Sequence, residues 1–237
     1  MKNLIIFILS ICLNFSVQNS VAQNFSFETM DRPWSIELGV GPGWIYADNG
    51  GSVRNLGFSL SPAASVSLTK KINPLISLRS TIGFQSMQGN LNANIEKLVK
   101  LGENGNAYHF NGQAYYFDVA PVFRLFRSSE LVYRRKINLY ASTGVGVMGI
   151  VSTNDVWVEG ESVTRQNNMI IPYIPLRGGI SYKFRPLWDL SFEGSLLLTF
   201  NDDIDGNTGN NLLNDYPMNV QVKVRKFFSF KLANPLF

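Results

Sequence analysis

The chain has 237 residues, of which 45% are hydrophobic and 13% aromatic, with a net charge of +4 and one cysteine. One cysteine excludes an intrachain disulfide framework and a multi-thiolate metal site, and so mild a charge with no basic run argues against a nucleic-acid surface. The length suits one domain, including a large all-β one.

The chain opens with a short positive segment at Lys2, a compact apolar run from Leu4 to Leu13, and small residues at Ser20 and Ala22. This order predicts a secretory signal peptide over 1–22, cleaved after Ala22 and too short to span a bilayer as a helix. Cys12 lies in that run behind Ile11, where a lipoprotein would need a small residue. Residues 23–237 then form the mature domain, with no cysteine and no later apolar stretch of about eighteen residues. If this chain meets a membrane, it does so with strands.

The next segment, "PWSIELGVGPGWIY" (33–46), sorts by alternate residues. Trp34, Ile36, Leu38, Val40, Trp44 and Tyr46 form one row; Ser35, Glu37, Gly39, Gly41 and Gly43 form the other. Strand side chains alternate faces, so this is a ribbon with one apolar and one polar side. The same alternation returns in blocks starting near Phe58, Ile76, Ala114, Ile137, Tyr173, Asp189 and Met218. Each block reaches the nine to eleven or so residues that a tilted strand needs to cross a bilayer. The prediction is all-β: an eight-stranded, antiparallel, up-and-down transmembrane barrel.

The connections alternate in length. "KINP" (71–74), "RPL" (185–187) and the somewhat longer "RSSELVYRR" (127–135) fall at one end. The segments 48–55, 87–112, 153–168 and 201–215 fall at the other. Short periplasmic turns and long outer loops are the rhythm of outer-membrane barrels. Aromatic residues also gather near strand ends, with Trp34, Tyr182, Phe184, Trp188, Phe228 and Phe230 at the short-turn rim. Trp44, Tyr46, Phe58, Phe84, Tyr115 and Phe200 lie towards the long loops. Amphipathic rings settle at headgroup depth, which predicts two girdles.

In this pattern the chain resembles small outer-membrane β-barrel proteins of the OmpA/OmpX type, especially the porin-like "outer membrane protein beta-barrel domain" proteins of Bacteroidota. Lys223, Phe228 and Phe230 fit the terminal signal of such barrels, whereas Arg225 stands where glycine is usual and "KLANPLF" runs beyond. The resemblance implies an outer-membrane location, contact with outer-membrane lipid, insertion by the barrel-assembly machinery and a protein partner at the extracellular loops.

Eight strands enclose a lumen that side chains can fill. Glu37, Arg79, Asp118, Arg177, Glu193, Lys223 and Arg225 all fall on the inward rows. Asp118 and Arg79 are expected on adjacent strands, Glu193 beside Arg177 and Lys223, and Glu37 beside Lys223 and Arg225 if the ring closes. Buried charges are costly unless paired, so this set reads as a side-chain plug, with a charged ion path as the alternative. Inward glycines leave room for large inward neighbours such as Tyr116, Tyr140, Tyr173 and Met148.

Other motifs carry less. Asn201, Asp203 and Asp205 precede Gly206 at a spacing close to a calcium loop, but Leu212 replaces the closing glutamate, and a solvated loop tip is expected. His109 is the lone histidine, with no serine or carboxylate pair placed to make a catalytic site, so a rim residue is expected. Hairpins are expected around Glu159-Gly160 and Asn111-Gly112, and a short helical turn at 94–102. The reading is a non-enzymatic barrel without cofactor or metal, acting through its loops or as envelope support. A narrow diffusion pore and an accessory barrel of the type IX secretion system, resembling PorT-like proteins, remain as alternatives.

Overall fold

A computed structural model describes residues 32–47, 58–90, 95–103, 105–126, 135–158, 161–207 and 214–228. The expected signal peptide and its cleavage site lie outside these residues. The elements are β1 (Trp34–Tyr46), β2 (Ser61–Lys71), β3 (Ile76–Asn90), helix α1 (Ile95–Glu103) and β4 (Ala107–Arg124). They continue as β5 (Ile137–Thr143), β6 (Val145–Val158), β7 (Glu161–Arg185), β8 (Trp188–Thr199) and β9 (Tyr216–Phe228).

Every pairing is antiparallel between chain neighbours, and β1 pairs with β9 from Trp34 opposite Phe228 to Tyr46 opposite Tyr216, which closes the ring. Nine labels make eight staves. β5 and β6 both run between β4 and β7 in one unbroken register, with Ser142 opposite Val122 and Val145 opposite Val119. Only Gly144 interrupts them. A Cβ there would lie 2.2 Å from the Val119 carbonyl oxygen, so a larger residue would prise this stave from β4. The fold is an eight-stranded, up-and-down β-barrel.

The alternation in the sequence becomes inside and outside. On β1, Ser35 and Glu37 are buried while Ile36, Leu38 and Val40 are exposed. Exposed apolar residues continue round the ring, including Val66, Ile82, Phe117, Val147, Ile180, Phe192 and Val222. So large an apolar surface in contact with water would be costly, and lipid is the solvent it fits. Aromatic residues edge this belt. At the loop end Trp44 meets Phe58 at 6.0 Å, Tyr46 stacks on Tyr216 at 6.3 Å, and Phe84 meets Tyr115 at 5.3 Å. At the turn end the ammonium of Lys70 lies 5.3 Å over Trp34 and that of Lys226 lies 5.2 Å over Trp188. Along β1, Trp34 and Trp44 bracket a rise of roughly 33 Å, or about 25 Å after a typical strand tilt, the height of a lipid-facing belt.

The short turns are sharply made. Asn73 Oδ1 accepts the backbone N–H groups of Leu75 and Ile76 at 2.8 and 2.7 Å, which closes the turn between β2 and β3. The loop end departs from expectation. The segment around Asn111-Gly112 is no hairpin: β4 runs straight through it, paired with β3 as far as Asn90 opposite His109. β6 and β7 stay paired as far as Val158 opposite Glu161, so the expected hairpin there is real and extends beyond the aromatic girdle. The expected helical turn is α1, two turns long, whose Gly102 packs against the Trp157 carbonyl; a Cβ there would lie 1.6 Å from that oxygen.

Candidate functional site: the filled lumen

Inward-facing residues fill the barrel in two layers. Towards the loop end lies an apolar layer of Ile45, Met87, Phe110, Met148, Ile150, Leu197 and Ile204, with Tyr116 and Tyr173 at its lower edge. The two rings meet edge to face, 6.2 Å between centroids. Space for them comes from small cross-strand neighbours: Tyr116 lies opposite Gly83, Tyr173 opposite Gly146, and Tyr140 opposite Gly179. A Cβ on Gly83 would lie 2.1 Å from the Tyr116 ring, so each tyrosine folds down over a residue that has no side chain.

Below that layer lies the charge network. Tyr173 donates its hydroxyl to Asp118 Oδ2 at 2.6 Å. Arg177 clamps the same carboxylate with both terminal nitrogens, at 2.7 and 2.6 Å. Glu193 is the hub. It is wholly buried and receives Arg79 at 2.6 Å, Lys223 at 2.6 Å and Arg177 at 3.8 Å. Arg225 reaches Glu37 at 2.7 Å and Asp189 at 3.8 Å. Bidentate and charge-assisted contacts of this kind are the strong class of hydrogen bond. Neutral polar groups complete the layer: Ser65 donates to Gln221 at 2.6 Å, and Asn219 to Gln85 at 3.0 Å.

All seven residues singled out from the sequence lie in the lumen, but not all with the expected neighbours. Arg79 passes over Asp118, on the adjacent β4, and spans the lumen to Glu193 on β8, four staves away round the ring. Asp118 takes Arg177 instead. Lys223 turns to Glu193 and leaves Glu37 to Arg225. Asp189 and Tyr173 complete the network and were not singled out as site residues. Asp189 stood in the inward row, so its register position opposite Arg225 was the available signal.

The acidic segment 201–207 is not a solvated tip. It folds over the loop-end mouth, with Ile204 buried in the apolar layer and Asp205 and Asn207 buried beside it. Asn207 accepts the Ala107 N–H at 2.6 Å and donates to the Ala107 carbonyl at 3.2 Å, which ties the lid to β4. The oxygens read as a calcium spacing serve the lid's own backbone: Asn201 accepts from Asp203 N–H and Asp205 from Asn207 N–H. Leu212 lies outside the described residues. Asp215 anchors the lid by accepting the Ile204 N–H at 2.8 Å. Burial, then the carboxylate of Asp205, pushes Asp215 up to about 8.

A raised carboxyl pKa contributes stability that is complete below the ordinary value of 3.8 and lost as pH climbs through about 8. Limited proteolysis of the lid should therefore quicken between about pH 5 and about pH 9. The Asp215→Asn variant should show a flat profile over that range.

His109 lies on β4 beyond the loop-end girdle, with Asn90 and Asp155 as its cross-strand neighbours. The Asp155 carboxylate accepts the Thr164 hydroxyl at 2.6 Å. This is a rim position on a polar ribbon, as expected.

No family model matches the chain, and no curated protein matches it. Solved structures do. Neisserial surface protein A (NspA) aligns with 12% identity and a TM-score of 0.48, covering 83% of this chain and 97% of its own. The outer membrane protein OprG from Pseudomonas aeruginosa aligns with 6% identity and a TM-score of 0.47, covering 84% and 98%. Ail, the attachment invasion locus protein of Yersinia pestis, aligns with 12% identity and a TM-score of 0.43, covering 82% and 97%. At these identities the likeness is one of shape alone.

Proposed function

We propose that this chain is a non-enzymatic integral outer-membrane barrel with a plugged lumen, acting at the cell surface through its loop-end ribbons. One observation carries the reading: a closed ring that is apolar all round outside and filled with mutually paired charges inside. A water-filled pore would leave such charges lining an open path. Here the carboxylates and cations of the lumen face one another, and the lid closes the loop-end mouth.

The surface role rests on the paired ribbon of β6 and β7. β7 has 25 residues, more than twice the span a bilayer crossing requires, and residues 161–166 at its far end are exposed and mostly polar. A ribbon held clear of the membrane offers strand edges to a partner protein. Insertion by the barrel-assembly machinery and lipid on the outer face complete the proposal.

The protein should sediment with outer membranes and resist carbonate extraction. A cysteine placed at the exposed Gln166 should label from outside intact cells, while one at Pro74, in the tight turn after β2, should not. Recovery in the soluble periplasmic fraction would overturn the membrane reading. Labelling at Pro74 alone would invert the topology.

A further inference from the structure

We propose that the outward face of the sheet just beyond the loop-end girdle binds the uncharged sugar headgroup of an outer-leaflet glycolipid. The inference rests on the membrane-barrel reading above and concerns a face of the ribbons, not their edges.

Strands β3, β4, β6 and β7 stay paired past the girdle, so their outward residues stand in rows across four strands. The girdle row is Phe84, Tyr115, Gly149 and Ile170. Above it come Ser86, Gln113, Val151 and Asn168. The next row is Gln88, Asn111, Thr153 and Gln166, all of them exposed. The outermost is Asn90, His109, Asp155 and Thr164. The change from apolar to polar therefore falls at one level on all four strands. By ordinary strand spacings the three upper rows cover a patch roughly 14 Å across in each direction.

Amides and hydroxyls dominate these rows, which hold no lysine or arginine. Glu161 and Arg165 alternate to the opposite face of β7. The one carboxylate, Asp155, accepts the Thr164 hydroxyl at 2.6 Å. The side-chain amides of Gln88, Asn111 and Gln166 take no hydrogen bond from the protein among the described residues. Each offers donors and an acceptor together. Tyr115, at the lower edge, is 53% exposed and donates its hydroxyl to Gln113 at 2.9 Å, so an apolar ring stands beside the amides. Behind the patch, Met87, Phe110 and Ile150 belong to the buried apolar layer, which gives the sheet a packed backing.

The chemistry selects the occupant. A phosphate would need cations, which these rows lack, and an acyl chain belongs on the apolar rows below. A sugar hydroxyl both donates and accepts, as the amides do, and the carbon side of a sugar ring suits a tyrosine face. Each such hydrogen bond replaces one to water, so the net gain per contact is small. A headgroup tethered in the leaflet overcomes this by meeting the face at high effective concentration. The girdle fixes the patch just above headgroup depth, where a lipid-borne sugar projects.

The test uses the full mature barrel in phosphatidylcholine nanodiscs doped with digalactosyldiacylglycerol, with heat-modifiable gel migration as the sign of insertion. Failure to insert would overturn the membrane reading and this inference with it. With insertion established, native mass spectrometry should show the galactolipid retained in preference to phosphatidylcholine. Retention should fall about tenfold in the Asn111→Ala/Gln166→Ala double variant. Both residues are exposed, so the barrel should still form. Arg165→Ala, on the opposite face, should retain the galactolipid like the parent. Soluble digalactosylglycerol should give no binding heat; binding of the free sugar would overturn the assignment to a membrane-held headgroup. Equal retention of the two lipids, or a double variant that retains as well as the parent, would overturn the inference and leave the barrel intact. So would a dimer that the double variant abolishes, which would give the face to a second copy of this chain.

Discussion

Replacing Glu193 with alanine is expected to lower unfolding stability by about 3–5 kcal/mol, the typical cost of breaking a buried ion pair from one side. The large effect follows from its position as hub: Arg79, Arg177 and Lys223 all converge on one carboxylate that has no access to solvent. Removing it leaves Arg79 and Lys223 without their carboxylate in a narrow lumen, while Arg177 keeps Asp118. Denaturant titration in micelles should show the midpoint falling sharply. The Glu193→Ala/Arg79→Ala double variant should recover part of the loss, because fewer charges are stranded and the two sites share a contact. In planar bilayers the parent should show no steady conductance, whereas the Glu193→Ala variant should flicker open. An unchanged midpoint would show that the network adds little to stability. Steady conductance by the parent would replace the plug with a pore.

Placing arginine at Val40 is expected to cost about 2–4 kcal/mol, the penalty for a cation at the bilayer midplane on a barrel's lipid face. Val40 lies midway between the aromatic residues that bracket β1 and is 66% exposed. On a protein surrounded by water, adding charge at so exposed a site would change stability by less than about 0.5 kcal/mol. The two environments therefore predict different results from one substitution. Gln166→Arg, out on the exposed ribbon, serves as the control and should be near neutral. A Val40→Arg variant as stable as its parent would remove the case for a lipid-facing belt.

The staves and their faces were legible because a strand's period of two leaves little freedom: once Ile36, Leu38 and Val40 face lipid, Glu37 must face the lumen. The partners of the charges were not legible to the same degree. Cross-strand neighbours follow from register, but Arg79 is long enough to span a narrow barrel, and shape rather than adjacency delivers it to Glu193. The lid was misread for a related reason. "NDDIDGNTGNN" is polar enough to pass for a solvated tip, and its one buried apolar anchor, Ile204, shows its role only when Phe110 and Ile45 are seen beneath it. The Asn111-Gly112 pair carries the dipeptide of a tight hairpin turn, yet continuous pairing with β3 and β6 on both sides overrides that local preference.

The bond between Arg225 and Glu37 joins residues 188 positions apart, and Lys223 reaches Glu193 from that same final strand. Neither carboxylate has its full set of cations until β9 arrives. Up to that moment a growing sheet that curls inside the membrane must keep water around Glu37 and Glu193, because no protein group is yet present to replace it. Ring closure and drying of the interior are thus one event, coupled by a contact that joins the first strand to the last. A chain whose seam between β1 and β9 has not closed would be held as an open, wet sheet.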